Sequence, residues 1–310
     1  MIDLKNTYIM KYEKFFGKNV MEFAQKKLRE EWIDSAGGKI HLDVFDNEIA
    51  APTIVFSHGM AGYGRLLIPY AHRLFSHGFN VILPDLKGYG HNKGQRGHWK
   101  WNDLVNNLVD TSHYAADRYK GDIFLAGGSM GGVVAYHAVC KGAPVKAVSC
   151  YCLFDFQDME LIKESSSYGP FTSLVKSSLM WLSKVAPNFS IPASSVSSYD
   201  NLSDNTEFNN LVKKDPLGGN KMTLSAAAEM TSVVLTIPFE EFRTVPILVI
   251  QPGEDKMTPA KFTKKAYDKL GTQNKKYVEL EGRGHWVLDD DGVDHICNEM
   301  KEWFLYGKEL

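Results

Sequence analysis

Short apolar runs alternate with segments of helical periodicity along most of this 310-residue chain. The runs lie at 53–56, 81–83, 123–126, 145–148, 247–250 and 277–280. The run at 53–56 is continuous rather than alternating with polar residues, as is typical of a strand buried on both faces of a sheet. Helical spacing of apolar residues predicts helices over 102–119, 130–140, 259–270 and 289–305. This alternation predicts an α/β fold with a mostly parallel central sheet and helices on both faces.

Two segments depart from this alternation and suggest the domain organisation. Residues 1–29 carry apolar side chains at helical spacing and predict an N-terminal helical extension. Residues 154–236 contain no apolar run that indicates a buried strand, and they predict an inserted helical cap. The core is then formed by residues 30–153 and 237–310. It would begin with an antiparallel hairpin joined at Gly37 and Gly38.

Composition excludes several classes of protein. With 35 basic and 37 acidic side chains, the formal charge is −2, so nothing predicts a nucleic-acid partner. No apolar stretch approaches the ~18–20 residues of a membrane span, and the N-terminus lacks a signal-peptide core, so the expected location is the cytoplasm. The four cysteines form no CxxC pair, so neither a metal site nor a disulfide scaffold is expected. Cys150 and Cys152 are predicted to be buried free thiols.

A candidate nucleophile follows the run at 123–126. Residues 127–131 read Gly-Gly-Ser-Met-Gly and match the G-x-S-x-G pattern between a strand and a helix. Such a turn lifts the hydroxyl of Ser129 clear of the backbone. The helix that starts there directs its N-terminal amides toward developing negative charge. A dinucleotide-binding loop is disfavoured, because it would require glycine in place of Ser129.

A candidate base and acid follow two later strands. His285 lies in a glycine-flanked loop past the run at 277–280, where it could accept the proton of Ser129. A carboxylate past the run at 247–250 could hold its imidazole N–H. Asp255 is favoured there over its neighbour Glu254. Asp155, past the run at 145–148, is a weaker third candidate.

Backbone amides complete the predicted site. In hydrolases with such a serine turn, one oxyanion donor is the residue after the nucleophile and the other lies in the loop after an earlier strand. Those residues are Met130 and Met60, while the ring of His58 is expected only to support its loop. Met60, Met130, Trp181 and Trp286 are the candidate substrate-binding side chains.

The order Ser129, Asp255, His285 resembles that of α/β-hydrolases. Residues 84–97 resemble the D-x-[RK]-G-x-G…G-x-R-G stretch of the monoacylglycerol lipase, lysophospholipase and serine aminopeptidase branch. Asp-Pro-Leu at 215–217 resembles a motif of that branch's cap. The resemblance extends from about residue 30 to 305. One departure concerns the residue before the nucleophile, usually histidine, which is Gly128 here and would open space beside Ser129.

The resemblance implies hydrolysis of a carboxylic ester through an acyl-enzyme, without a metal or organic cofactor. The expected substrate is a small acyl ester with an apolar chain, because the cap carries more apolar side chains than one packed helix face needs. These side chains are Phe171, Leu174, Leu179, Met180, Trp181 and Leu182. The aromatic N-terminal segment is expected to pack on its own fold or on a partner chain rather than on a membrane.

Three other functions stay open. A proline-iminopeptidase-like serine aminopeptidase would need cap acids to hold the substrate amine. Such acids are available at Asp158, Glu160, Glu164 and Glu207. A thioesterase or acyltransferase would share the acyl-enzyme chemistry and differ in leaving group or acceptor. A non-catalytic ligand sensor on the same fold is disfavoured by the complete set of Ser129, Asp255 and His285.

Overall fold

The structure is a computed structural model that describes residues 4–165 and 172–307. Within these ranges the chain forms one large sheet and one two-stranded sheet. The strands are β1 (Leu28–Ser35), β2 (Gly38–Phe45), β3 (Thr53–Ser57), β4 (Asn80–Pro84), β5 (Ile123–Gly128), β6 (Val148–Tyr151), β7 (Ser190–Pro192), β8 (Lys221–Thr223), β9 (Ile247–Pro252) and β10 (Lys275–Leu280). The large sheet has the order β1-β2-β4-β3-β5-β6-β9-β10. Strand β2 runs antiparallel to β1 and β4, and the remaining pairs are parallel.

Helices connect the strands and cover the sheet. The α-helices of the described residues are α1 (Glu13–Phe16), α2 (Lys18–Lys27), α3 (Ile68–Ser76), α4 (Trp101–Arg118), α5 (Met130–Cys140), α6 (Met159–Ser165), α7 (Thr172–Val185), α8 (Thr206–Lys214), α9 (Leu224–Met230), α10 (Ala260–Lys269) and α11 (Asp290–Tyr306). The four helices predicted for the core agree with α4, α5, α10 and α11 to within one residue at each end. None of the described helices combines the length and apolar character needed to cross a bilayer.

The two faces of the sheet bury separate apolar clusters. One cluster includes side chains of α2, α3 and α11, and the other includes side chains of α4, α5 and α10. Side chains of a strand alternate between faces, so Phe124 and Ala126 of β5 join the first cluster while Leu125 joins the second. We call these sides the α3 face and the α5 face.

Strand β6 differs from its prediction. It spans Val148–Tyr151 instead of 145–148, because its pairing with β5 sets Val148 opposite Leu125 and Tyr151 opposite Gly128. The apolar run is longer than the strand, so composition alone did not mark which part pairs. The residue past the strand end is therefore Cys152, at the sheet edge where the other strands also end. All four cysteines are free thiols, and both Cys150 and Cys152 are buried.

The inserted segment is not entirely helical. Strands β7 and β8 pair antiparallel within it, and β7 is only three residues long, too short for its periodicity to indicate a strand. Helices α6 to α9 make up most of the rest. Phe171 lies outside the described residues, as does the side chain of Leu174.

The N-terminal extension packs on the fold. It contains a 3-10 turn, α1 and α2, broken at Gly17, whose φ of 86° suits glycine. Strand β1 then starts at Leu28, two residues before the predicted start of the core. The buried apolar residues of the extension are Leu4, Ile9, Tyr12, Phe16, Val20, Met21 and Ala24. These side chains are therefore packed against the rest of the protein.

Candidate active site

Ser129 occupies the sharp turn between β5 and α5. Its backbone has φ 54° and ψ −124°, a conformation that costs a non-glycine residue about 1–3 kcal/mol. The turn is held by two hydrogen bonds. The N–H of Ser129 donates to the carbonyl of Tyr151 at 2.9 Å, and the carbonyl of Ser129 accepts the N–H of Gly132 at 2.8 Å. The strain is thus maintained by the neighbouring strand β6 and by the first turn of α5.

Glycines around Ser129 allow backbone segments to approach closely. A Cβ atom on Gly127 would lie 2.1 Å from the carbonyl oxygen of Gly131, and one on Gly131 would lie 2.4 Å from that of His58. A Cβ on Gly59 would lie 3.0 Å from the carbonyl oxygen of Gly128. The pattern that suggested a nucleophile therefore has a steric basis in three crossing segments.

His285 and Asp255 are brought together at the carboxyl ends of β10 and β9. Nδ1 of His285 lies 2.7 Å from Oδ2 of Asp255, and both residues are buried. The loop that carries His285 is fixed by the hydroxyl of Tyr151, which donates to the His285 carbonyl at 2.8 Å. This arrangement leaves Nε2 of His285 as the ring atom available to a substrate or nucleophile.

The Asp255 carboxylate is prepared to stay ionised. Its second oxygen, Oδ1, accepts the backbone N–H groups of Met257 and Thr258, each at 2.8 Å. Burial acts to raise the pKa of Asp255, but the charge and hydrogen bond of His285 and these two N–H groups outweigh it. The pKa therefore lies below its ordinary value. An ionised carboxylate stabilises an imidazolium on His285.

Cys152 is the site residue that the sequence analysis missed. Its thiol donates to Oδ2 of Asp255 at 3.3 Å, and Sγ lies 3.9 Å from Nδ1 of His285. Burial, and after it the Asp255 charge, raises the pKa of this thiol well above its ordinary value, so it remains a donor. Cys152 directly follows strand β6, and this position could have identified it. Because the strand was predicted to end at residue 148 instead of 151, Cys152 was overlooked.

The other acid candidates are not brought to His285. Glu254 is exposed, and its backbone N–H donates to the carbonyl of Arg283. Asp155 accepts the N–H of Gln157 at 2.8 Å in a local turn. Among the hydrogen bonds of the described residues, none joins the Ser129 hydroxyl to His285, although both side chains line one cavity.

The two residues predicted to supply oxyanion donors, Met60 and Met130, also line this cavity. Within the described residues, neither Met60 nor Met130 has an acceptor for its backbone N–H. The ring of His58 is fully buried: Nε2 accepts the N–H of Leu86 at 3.1 Å, so Nδ1 carries the proton and donates to the carbonyl of Gly59 at 2.8 Å. Burial lowers the pKa of His58. This ring supports the loop that carries Met60.

The cavity has a volume of about 680 Å³ and lies between the strand ends and the inserted segment. Three of the four predicted substrate-binding side chains line it: Met60, Met130 and Trp286. Trp181 does not, and its side chain is 64% exposed. The reason is helical geometry. Leu179 lines the cavity. Trp181 lies two positions further along α7, so its side chain is rotated by about 200° around the helix axis and points to solvent.

Three groups of side chains in the described residues could in principle hold a metal ion, and one of them is Cys152, Asp255 and His285. A metal at that place would have to displace the proton that His285 Nδ1 shares with Asp255. The three side chains are thus already hydrogen-bonded to one another through Asp255.

Known proteins with similar sequences or structures support the strand topology described above. The chain is 26% identical to phospholipase YtpA of Bacillus subtilis over 76% of its own length and 88% of that protein. It superposes on a monoacylglycerol lipase of Paleococcus ferrophilus with a TM-score of 0.68 and 18% identity, covering 86% of this chain and 99% of the other.

A second superposition is on a soluble variant of monoglyceride lipase from Saccharomyces cerevisiae bound to a substrate analogue. The TM-score is 0.71 at 13% identity, covering 90% of this chain and 95% of the other. These likenesses confirm the expected α/β-hydrolase fold. The sequence model of the family described as serine aminopeptidase, S33, matches residues 49–292. The chain therefore belongs to the serine aminopeptidase, S33, family and has the α/β-hydrolase fold.

Proposed function

We propose that this α/β-hydrolase cleaves carboxylic esters through an acyl-enzyme on Ser129. The observation that carries the proposal is the 2.7 Å contact between His285 Nδ1 and Asp255, at the cavity that also contains the strained turn of Ser129. A nucleophile, a base and a group that orients the base are the parts that acyl transfer requires.

The reaction would run in two halves. The Ser129 oxygen attacks the ester carbonyl carbon, and its proton passes to Nε2 of His285. The resulting oxyanion accepts hydrogen bonds from the N–H groups of Met60 and Met130, and such a donor contributes about 10²–10³ in rate. The intermediate collapses, the C–O bond to the alcohol breaks, and His285 protonates the leaving oxygen. Water then repeats the sequence and releases the carboxylic acid.

The substrate class we propose is an ester with an apolar acyl chain, such as a monoacylglycerol or lysophospholipid. The cavity wall supports this choice, because aromatic and aliphatic side chains predominate among the residues that line it. Examples are Phe56, Leu67, Tyr70 and Ile296. The names of the similar phospholipase and monoglyceride lipases are consistent with it.

The aminopeptidase alternative is less well supported. It would need a free carboxylate to bind the substrate's amino group, and all four candidate acids are paired with lysines. Glu164, which lines the cavity, lies 2.5 Å from Lys261. Lys261 also pairs with Glu160 at 3.4 Å. The other two pairs are Asp158 with Lys265 and Glu207 with Lys14.

The test is the change Ser129→Ala. We expect it to abolish p-nitrophenyl ester hydrolysis and labelling by a fluorophosphonate probe, whose fluoride is displaced by an activated serine. Ser76→Ala, at an exposed serine on α3, is the control for surface labelling. Labelling or hydrolysis that survives Ser129→Ala would overturn the assignment.

A substrate panel separates the related reactions. We expect hydrolysis of p-nitrophenyl esters and none of prolyl p-nitroanilide, because each of the four candidate acids is already paired with a lysine. Turnover of the anilide in preference to the esters would establish the peptidase instead. An acyl-CoA substrate and an added alcohol acceptor test thioester cleavage and acyl transfer in the same assay.

A further inference from the structure

Gly128 differs from the other glycines beside Ser129. A Cβ atom added to Gly127 or Gly131 would collide with backbone, but one added to Gly128 would meet nothing within 4 Å. Gly128 also does not have a positive φ. Neither packing nor backbone conformation therefore requires glycine at position 128, and the missing side chain leaves open space at the wall of the cavity.

The direction of this space follows from the pleat of β5. Gly127 faces Gly131 of α5, and successive strand residues point to opposite faces. A side chain on Gly128 would therefore point to the α3 face, as Ala126 and Phe124 do. Its register partner on β6 is Tyr151, which belongs to the same cluster.

The cavity continues onto that face. Eight of its lining residues belong to the α3-face cluster and are at least nine-tenths buried, and five of these have large side chains and lie outside the inserted segment. They are Phe56, Leu67, Tyr70, Tyr151 and Ile296. We call the part of the cavity that they line the α3-face branch. Because it lies within a buried apolar cluster, it suits a hydrocarbon group and not a charged one.

The hydroxyl groups of both tyrosines in the branch, Tyr70 and Tyr151, are hydrogen-bonded to backbone carbonyls. Tyr70 donates to the carbonyl of Val287 at 3.2 Å, and Tyr151 donates to that of His285 at 2.8 Å. Their rings therefore contribute apolar surface to the branch. The inserted segment contributes both apolar and polar lining residues, and the polar ones include Ser195, Ser197, Ser198 and Asn201.

We propose that Gly128 determines acyl specificity: by lacking a side chain it admits the apolar acyl chain of the ester from Ser129 into the α3-face branch. The alcohol part then faces the polar residues of the inserted segment. This inference rests on the proposed ester hydrolysis and adds to it the place of the acyl chain. It also gives a reason for glycine at a position where the fold accepts a side chain.

The experiment measures kcat/KM for p-nitrophenyl esters from acetate to octanoate, with the alcohol held constant. In the wild type, each methylene that enters the branch should raise kcat/KM up to about fourfold. Gly128→Val should flatten this rise and lower the octanoate-to-acetate ratio by about tenfold or more, since at least two methylenes lose their place. Gly128→Ala should lower the ratio less.

Two further variants guard against a general loss of activity. Leu67→Ala enlarges the branch and should move the optimum to longer chains. Met230→Phe narrows the cavity at α9 instead, and the proposal expects it to leave the octanoate-to-acetate ratio unchanged. A ratio that changes with Met230→Phe but not with Gly128→Val or Leu67→Ala places the chain under the inserted segment and overturns the proposal.

Different results would overturn the ester hydrolysis and the acyl specificity of Gly128. Absence of fluorophosphonate labelling and of acetate hydrolysis in the wild type would overturn the proposed function itself. A wild type that is labelled and hydrolyses all esters, with a Gly128→Val variant that loses acetate and octanoate activity equally, would overturn only the acyl specificity of Gly128. Labelling of each variant also counts its active sites, so misfolded material does not enter kcat.

Discussion

The thiol of Cys152 and the carboxylate of Asp255 are joined by a 3.3 Å hydrogen bond at the centre of the candidate site. The oxygen involved, Oδ2, also accepts the Nδ1 proton of His285 at 2.7 Å. One carboxylate oxygen is thus shared by two donors, while the other is held by backbone N–H groups. We therefore expect Cys152 to be a positioning residue that acts through Asp255.

Removal of the Cys152 thiol should change the pH dependence of kcat/KM and leave the fold intact. In Cys152→Ala, Oδ2 loses a weak donor, so its charge acts more fully on the protonated imidazole. We expect the acid limb of the kcat/KM profile to move to higher pH. Cys152→Ser, which keeps a donor, should restore the wild-type limb.

Cys150→Ala is the matched control, because Cys150 is equally buried on β6 but belongs to the α5-face cluster. It removes a thiol without touching Asp255. A limb that moves equally in the Cys150 and Cys152 variants, or in neither, would show that the thiol of Cys152 has no positioning role.

Adjacent glycines should respond oppositely to alanine. Gly127→Ala places a Cβ 2.1 Å from a backbone oxygen, so the turn must shift, and we expect a loss of roughly 2–3 kcal/mol or more in the free energy of unfolding. Gly128→Ala meets open space and should be neutral or add about 0.4–1 kcal/mol. Urea denaturation measures both. Equal losses would mean that position 128 also needs glycine.

The sequence indicated which residues follow the ends of strands. Ser129, Asp255 and His285 each follow a predicted strand, and in a parallel sheet such ends meet at one edge. It did not suffice where tertiary pairing decides. The end of β6 depends on its register with β5, so Cys152 was overlooked. The outward direction of Trp181 depends on which face of α7 packs, and apolar composition alone does not specify that face.

The extension is tied to the inserted segment by a buried hydrogen bond. The hydroxyl of Tyr12 donates to Oδ2 of Asp215 at 2.9 Å, and its ring packs edge-on against Phe208 of α8. Tyr12→Phe keeps the ring and removes the hydroxyl, so we expect a loss of about 1–3 kcal/mol in the free energy of unfolding. Tyr8→Phe, which removes a longer bond to the Leu211 carbonyl, is the control and should cost less. A smaller loss for Tyr12→Phe than for Tyr8→Phe would contradict this view of the contact.

A buried polar cluster around His41 on β2 predicts a pH dependence of stability. Nδ1 of His41 lies 2.9 Å from Oδ2 of Asp85, and Nε2 lies 3.3 Å from Oε1 of Glu30. Burial acts to lower the pKa of His41, but the Asp85 hydrogen bond and the charges of Asp43 and Asp85 outweigh it and raise the pKa. The folded protein thus binds a proton at His41 more tightly than the unfolded chain does.

The sign of the effect follows from this linkage. The contribution of His41 is fully present below its unfolded pKa of about 6.5 and is lost as pH rises through the higher folded value. The difference in unfolding free energy between wild type and His41→Gln should therefore shrink with rising pH, by at most about 1.4 kcal/mol per pH unit. Urea denaturation from roughly pH 6 to 9 measures it, with His113→Gln on exposed α4 surface as the control for loss of an imidazole. A difference that grows with pH would show that burial, and not the surrounding carboxylates, governs the protonation of His41.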